Sequence, residues 1–245
     1  MKVKDHIMGL LKGRHTLHMT LIDPAKQPYE RAAEIASFAE KAGTDAIMVG
    51  GSTGVNQKNL DETVLAIKRR VKVPVIYFPS GAHAISRYTD AIYFMSMLNS
   101  RNRKNLVGEQ VAAAPIVAKL GMETISMGYL IVEPGMKVGE VGQADVIKRK
   151  DVPCAVAYGL AAQFMGMDFV YYEAGSGAPD PVPAEMIAAV KKCLSIPVIV
   201  GGGIKTPDQA AKLREAGADI IVTGTIVENG HFEKCLVAIV KALKS

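Results

Sequence analysis

The sequence predicts a modified (β/α)8 TIM barrel, a closed α/β fold of eight parallel strands with one crossover helix replaced by a short loop. Three observations carry that prediction. Eight short apolar runs alternate with segments of helical period, a pattern that favours a closed parallel barrel over an open sheet. A join of Gly, any residue and an acid recurs before four of the runs. Glycine-rich stretches follow the last strands, where such barrels hold phosphate. The chain has 245 residues, the size of one such barrel, and no linker or change of composition breaks it. We therefore expect a single TIM-barrel domain over 1–245.

His15–Asp23 supplies the first strand and Tyr29–Ala42 the first long helix. The join Ala42-Gly43-Thr44-Asp45 then opens the strand Ala46–Val49. Glycine in the left-handed conformation stops the helix, and the apolar run after it is a buried strand. Helical period returns over Asn59–Val71, and Val73-Pro74-Val75-Ile76 opens a third strand ending at Phe78. Proline there blocks further helix and starts an extended run. The fourth strand, Ala91–Met97, follows an acid, Asp90. Pro79–Asp90 is too short for a full crossover helix, which leaves a gap in the helical ring. Leu106–Leu120 is helical, and Leu120-Gly121-Met122-Glu123 leads into Thr124–Met127. Met165-Gly166-Met167-Asp168 leads into Phe169–Tyr172, and the helix Ala184–Leu194 comes before Ile196-Pro197-Val198-Ile199. Pro207–Ala216, the join Ala216-Gly217-Ala218-Asp219, the strand Ile220–Thr223 and the helix Glu228–Leu243 complete the series.

Composition fits such a barrel. Hydrophobic residues make up 49%, aromatics only 6%, and tryptophan is absent, so the core is aliphatic. The net charge of +5 favours anionic ligands, yet Lys and Arg are scattered except at Lys68–Arg70 and at Arg101, Arg103 and Lys104. No basic run is interleaved with aromatics, which argues against a nucleic-acid partner. Cys154, Cys193 and Cys235 form neither a disulfide framework nor a metal motif, as expected of a cytoplasmic protein. Met1–Arg14 does not read as a secretory signal, and no apolar run reaches the ~18 residues of a transmembrane segment.

Residues at strand exits face the mouth of this fold. The seventh strand exits into Gly201-Gly202-Gly203-Ile204-Lys205-Thr206-Pro207 and the eighth into Gly224-Thr225-Ile226. A phosphate needs several backbone N–H groups at close range, and a Cβ obstructs that approach. Tight turns alone also call for glycine, but placement after the last two strands favours a phosphate cup. The sixth strand exits as Tyr171-Tyr172-Glu173-Ala174-Gly175-Ser176-Gly177. Alternation points Tyr171 and Glu173 one way and Tyr172 the other. Glu173 suits binding hydroxyls or accepting a proton, unless it is a structural carboxylate. The first strand exits at Leu21-Ile22-Asp23-Pro24 and the second at Gly50-Gly51-Ser52-Thr53-Gly54. Asp23 and Ser52 thus stand on neighbouring strands, a poor cage alone but a fair Mg²⁺ seat if substrate phosphates complete it. His15, His18, His83 and His231 lack paired metal spacing and read as structural. The run Tyr93–Met97 reads as core, and beside the missing helix it suggests an apolar channel.

Taken together these motifs resemble the geranylgeranylglyceryl phosphate synthases and their bacterial heptaprenylglyceryl relatives, from about Lys12 onward. The matching pieces are Leu21-Ile22-Asp23-Pro24, Gly50-Gly51-Ser52, Phe78-Pro79-Ser80, Leu98-Asn99-Ser100, Tyr171-Tyr172-Glu173 with Gly175-Ser176-Gly177, Gly201-Gly202-Gly203-Ile204 and Gly224-Thr225. The resemblance implies transfer of a prenyl group from geranylgeranyl diphosphate to the 3-hydroxyl of sn-glycerol 1-phosphate, with diphosphate released and Mg²⁺ as cofactor. It implies that Asp23 and Ser52 hold the metal. It also implies that Tyr171, Tyr172, Glu173, Ala174, Gly175, Ser176, Gly177, Gly202, Gly203, Gly224 and Thr225 bind glycerol phosphate. Tyr171 and Glu173 are the expected catalytic pair. The family forms dimers and larger rings, so a homo-oligomer, dimer or hexamer, is expected. Where many members carry Gly-Asn after the last strand, this chain has Gly224-Thr225. Some relatives limit tail length with a bulky aromatic soon after Leu-Asn-Ser, where this chain has Asn105-Leu106.

The rival reading is another phosphate-binding barrel, an isomerase, aldolase or synthase. It shares the glycine loops but usually needs a catalytic Lys or paired Asp residues at strand ends, and the predicted strands hold no Lys. A non-catalytic barrel would bind ligand without turnover.

Overall fold

A computed structural model describes residues 2–13, 16–228 and 231–244. Eight parallel strands, β1 (Leu17–Ile22), β2 (Ala46–Val49), β3 (Val75–Tyr77), β4 (Ala91–Met97), β5 (Thr124–Ile131), β6 (Phe169–Glu173), β7 (Val198–Gly201) and β8 (Ile220–Thr223), close in sequence order. The seam pairs Leu17 with Ile220 and Thr20 with Thr223. Around them run α1 (Val3–Leu11), α2 (Tyr29–Ala42), α3 (Gln57–Lys68), α4 (Glu109–Leu120), α5 (Met136–Val141), α6 (Val152–Phe164), α7 (Ala184–Cys193), α8 (Pro207–Glu215) and α9 (Glu233–Lys244). His15, placed in the first strand from sequence, lies outside the described residues.

The recurrent join has a geometric purpose. Gly43 and Gly121 end α2 and α4 in the left-handed region, as the motif requires. The acid before each even-numbered strand reaches sideways to an amide at or near the start of the preceding strand. His18 N–H donates to Asp45 at 2.9 Å, Val75 to Asp90 at 2.9 Å, Ser126 to Asp168 at 3.0 Å and Val198 to Asp219 at 2.6 Å. The acids before β2, β4, β6 and β8 thus tie down β1, β3, β5 and β7, each satisfying a strand-end donor. Glu123, before β5, is used differently: it accepts the Val3 and Lys4 amides at 2.7 and 2.8 Å. That contact seats the N-terminus of α1, a favoured place for a carboxylate. Val3 and Ile7 then join the apolar cluster inside the barrel.

Two apolar layers result. Met19, Met48, Ile125, Met127, Phe169 and Ile199 fill the barrel, while Ile22, Val49, Val170 and Val200 meet the helices outside. His18 lies in the outer layer, with Nδ1 2.5 Å from Thr44 Oγ1 and Nε2 3.0 Å from Thr223 Oγ1. Burial pushes its pKa down to about 3, so it is a neutral structural group. No helix forms between β3 and β4, as the short connection predicts.

Three helices have no counterpart in the sequence reading. α1 is short and charged; α6 is apolar on nearly every side, so it shows no amphipathic period; α5 has only six residues. The predicted Leu106–Leu120 begins as a π turn over Lys104–Gly108. The last helix starts at Glu233, behind a 3-10 turn at Thr225–Glu228.

Candidate functional site

β6 delivers two groups to the mouth. Tyr171 belongs to the inner apolar cluster, and its hydroxyl stands over Gly201, where a Cβ would collide with it. Glu173, two residues on, is 7 % exposed. Its carboxylate accepts the Gly175 amide at 2.6 Å. Burial pushes its pKa up to about 7, although hydrogen bonds from the Gly175 amide and the Tyr171 hydroxyl oppose the shift. A carboxylate half ionised near neutral pH has the basicity wanted of a general base. Gly202, at φ +80°, leaves room for it; a side chain there would strike Glu173 Oε1.

Beside this pair lies a small cavity of about 50 Å³, walled by Tyr171, Glu173, Ser176, Gly177, Gly202, Gly203, Gly224 and Thr225. Among the described residues no acceptor takes the amide hydrogens of Ser176, Gly202, Gly203 or Gly224. Bare donors from three loops around one hollow suit an anion. Thr225 joins two of those loops: its hydroxyl accepts the Gly177 amide at 3.1 Å and lies 2.9 Å from Ser176 Oγ.

Three residues predicted to bind here do so differently or not at all. The Tyr172 side chain points to the helices, its hydroxyl donating to Ala155 O at 2.8 Å, because alternation on β6 turns it outward. Ala174 is buried in the outer layer, its amide bonded to Gly201 O and its carbonyl to Gly135 N–H. The Gly175 amide serves Glu173, so the Gly175-Ser176-Gly177 stretch offers fewer free donors than its glycines promise.

Asp23 and Ser52 stand at the exits of the paired strands β1 and β2. Ile22 pairs with Val49, and Gly51 abuts the Asp23 carboxylate so closely that a Cβ has no room. Burial raises the Asp23 pKa, with the Ala25 amide at 2.9 Å opposing it. Their oxygen donors are the hard ligands Mg²⁺ takes. No cluster of three or more His, Cys, Asp or Glu suited to a metal exists among the described residues. An ion held by these two side chains would need phosphate oxygens and water in its other positions.

Ser52 opens onto a larger cavity of about 170 Å³. It runs from Gly50-Gly51-Ser52 past Phe78 to Ile92, Met95 and Ala113, where the helix between β3 and β4 is missing. Leu21, Glu173 and Ser176 border both cavities. The apolar channel suggested by Tyr93–Met97 is thus present, although Tyr93 itself turns inward and is fully buried.

Sequence reasoning missed two residues here. Tyr129, on β5, packs edge-on against Tyr171 at 5.2 Å between ring centres and against Phe78 at 5.5 Å. It was legible: Ile125, Met127, Tyr129 and Ile131 alternate inward, so the aromatic near the strand's end faces the mouth. Lys205 is the one cationic side chain among the described residues that line either cavity. The Leu98-Asn99-Ser100 piece proves structural. Asn99 Nδ2 donates to Ile131 O at 2.8 Å and Ser100 Oγ to Gly142 O at 2.6 Å, holding β4 and the loop after β5 together.

The PcrB family model matches residues 8–243. The geranylgeranylglyceryl phosphate synthase of Methanosarcina acetivorans is 51% identical over 100% of both chains. That of Thermococcus gammatolerans is 53% identical over 95% of this chain and 92% of its own. The crystal structure of (S)-3-O-geranylgeranylglyceryl phosphate synthase from Thermoplasma acidophilum, in complex with substrate sn-glycerol-1-phosphate, superposes with a TM-score of 0.97. It is 47% identical, with 100% of this chain and 99% of that one covered.

Proposed function

Since the chain belongs to the PcrB family, we propose that it joins sn-glycerol 1-phosphate to geranylgeranyl diphosphate across the junction of its two cavities. It is a prenyltransferase that makes geranylgeranylglyceryl phosphate, the ether-linked precursor of a phospholipid. The observation that carries the arrangement is the position of Glu173, on the shared border of an amide-lined cup and an apolar channel.

Glycerol phosphate enters phosphate-first. The amides of Ser176, Gly202, Gly203 and Gly224 take its oxygens, and Tyr171 and Glu173 orient its hydroxyls. The prenyl tail lies along Phe78, Ile92, Met95 and Ala113, where burial at ~0.8 kcal/mol per methylene gives ample affinity. Asp23 and Ser52 would hold Mg²⁺ together with the diphosphate. Bound there, the ion would draw charge from the leaving group. As the C1–O bond breaks, its electron pair departs with diphosphate. The glycerol 3-oxygen bonds to C1, and its proton passes to Glu173. Fixing both partners at one junction replaces a chance encounter by a near-attack geometry.

Exposed apolar side chains on α4 and α6, Val111 and Phe164 foremost, support self-association as a dimer or hexamer. No helix among the described residues is long and apolar enough to cross a membrane. Three unpaired cysteines favour the cytoplasm as the site of action. Incubation with labelled glycerol 1-phosphate, geranylgeranyl diphosphate and Mg²⁺ tests the reading. Organic-extractable label is expected, and its absence overturns the assignment.

A further inference from the structure

We propose that Lys205 binds the phosphate of the acceptor, an inference that rests on glycerol phosphate occupying the cup between β6, β7 and β8. The residue follows Gly202-Gly203-Ile204 directly, and its backbone is held on both sides. Its amide donates to Gln209 Oε1 at 2.8 Å, and its carbonyl accepts Cys235 Sγ at 3.2 Å. From that fixed base the side chain crosses to the loop after β6, where Nζ donates to Pro179 O at 3.2 Å. The ammonium therefore rests against a neutral carbonyl at the rim of the cavity that Lys205 helps to line.

Charge accounting singles it out. Other mouth-side cations are already engaged: Lys26 pairs with Glu228 at 2.7 Å and Lys104 with Glu109 at 3.0 Å. Lys205 forms no ion pair among the described residues. The acidic group beside the cup is Glu173, and a bound dianion adds negative charge next to it. Free amides contribute partial charge only, so a full positive charge at the rim offsets that repulsion. Lysine suits the task as a compact charge on a flexible stem. It needs only to exchange the Pro179 carbonyl for a phosphate oxygen. Because the side chain is exposed, its effect is screened by salt.

Steady-state kinetics of the full chain test this, with sn-glycerol 1-phosphate varied at saturating geranylgeranyl diphosphate and Mg²⁺. Wild type, Lys205→Met and Lys205→Arg are compared near ~0.02 M and ~0.5 M salt, where screening lengths differ several-fold. At low salt Lys205→Met raises KM for glycerol phosphate about 5- to 20-fold, in the range of one exposed charge-assisted contact. At high salt that ratio shrinks toward one. The turnover number, KM for the prenyl diphosphate and the melting temperature stay at wild-type values, and Lys205→Arg restores most of the affinity. A low-salt KM within twofold of wild type, a ratio indifferent to salt, or a loss confined to kcat overturns the role of Lys205 while wild-type turnover leaves the reaction standing. Absence of product from wild type removes the reaction itself, and this inference with it.

Discussion

Glu173→Gln separates the two things that burial does to this carboxyl. In the folded protein its pKa lies near 7 instead of 4.5, mainly because solvent is excluded. The sign follows from linkage. The folded state holds this proton more tightly than the unfolded chain, so protonated Glu173 favours folding. That contribution is complete below about pH 4.5 and is lost as pH rises through about 7. The difference of roughly 2.5 pH units, at ~1.36 kcal/mol each, amounts to about 3 kcal/mol. Glutamine keeps an oxygen for the Gly175 amide but cannot ionise. The variant should therefore melt with wild type near pH 4.5 and become more stable than wild type as pH rises. By pH 8 the gap should reach roughly 6–12 °C for a chain of this size. Turnover should fall by about 10²- to 10⁴-fold, as expected when a general base is removed. Calorimetric melts at half-unit steps of pH, paired with a product assay, measure both. A melting difference that is flat in pH, or a glutamine variant less stable than wild type at pH 8, would refute the assignment of a solvent-starved, ionising carboxyl.

Three further perturbations follow from the geometry. Asp23→Asn should raise the Mg²⁺ concentration needed for half-maximal turnover by about 10-fold or more, and the titration should leave glycerol phosphate affinity nearly unchanged; equal loss of both places Asp23 in the wrong cavity. Gly202→Ala meets both a left-handed backbone and Glu173 Oε1, so melting should show a loss of about 1–3 kcal/mol and calorimetric titration a weakened glycerol phosphate. Ala113→Phe fills the channel beside the missing helix; its KM should rise about 10-fold for the twenty-carbon diphosphate and much less for a ten-carbon one, a contrast expected if added volume meets the distal tail.

The barrel was legible because its repeat is written in local chemistry. Gly43 and Gly121 mark helix ends by a conformation few other residues tolerate. Asp45, Asp90, Asp168 and Asp219 mark strand starts because each satisfies a neighbouring strand's amide. Alternation on β6 separated Tyr171 and Glu173 from Tyr172, and the placing of Tyr172 and Ala174 in the cup ignored that same rule. The fate of individual amides lay beyond reach. Gly175 and Gly177 look like free donors until Glu173 and Thr225 fold back onto them. Helix α6 was hidden for a different reason: apolar all round, it carries no period to read.

The missing helix between β3 and β4 joins fold to function. A crossover helix there would cover Phe78, Ile92 and the flank of β4, and the barrel would hold a phosphate cup with no room for a lipid tail. Omitting it exposes apolar wall and removes a packing partner, so the connection must be fixed by other means. Polar side chains supply them from both sides. Tyr77 donates to Ala84 O at 2.7 Å, and Gln57 bonds both the amide and the carbonyl of Ile85. Glu109 accepts the Ala82 amide at 2.6 Å, and His83 Nε2 lies 3.1 Å from Val55 O. A segment so pinned is held in place without a helix. Pro79, Ser80, Gly81 and Ile85 of the same connection line the channel. On the proposed function, a tail in this channel would be led away from the polar mouth, with C1 left beside Glu173 at the junction of the two cavities.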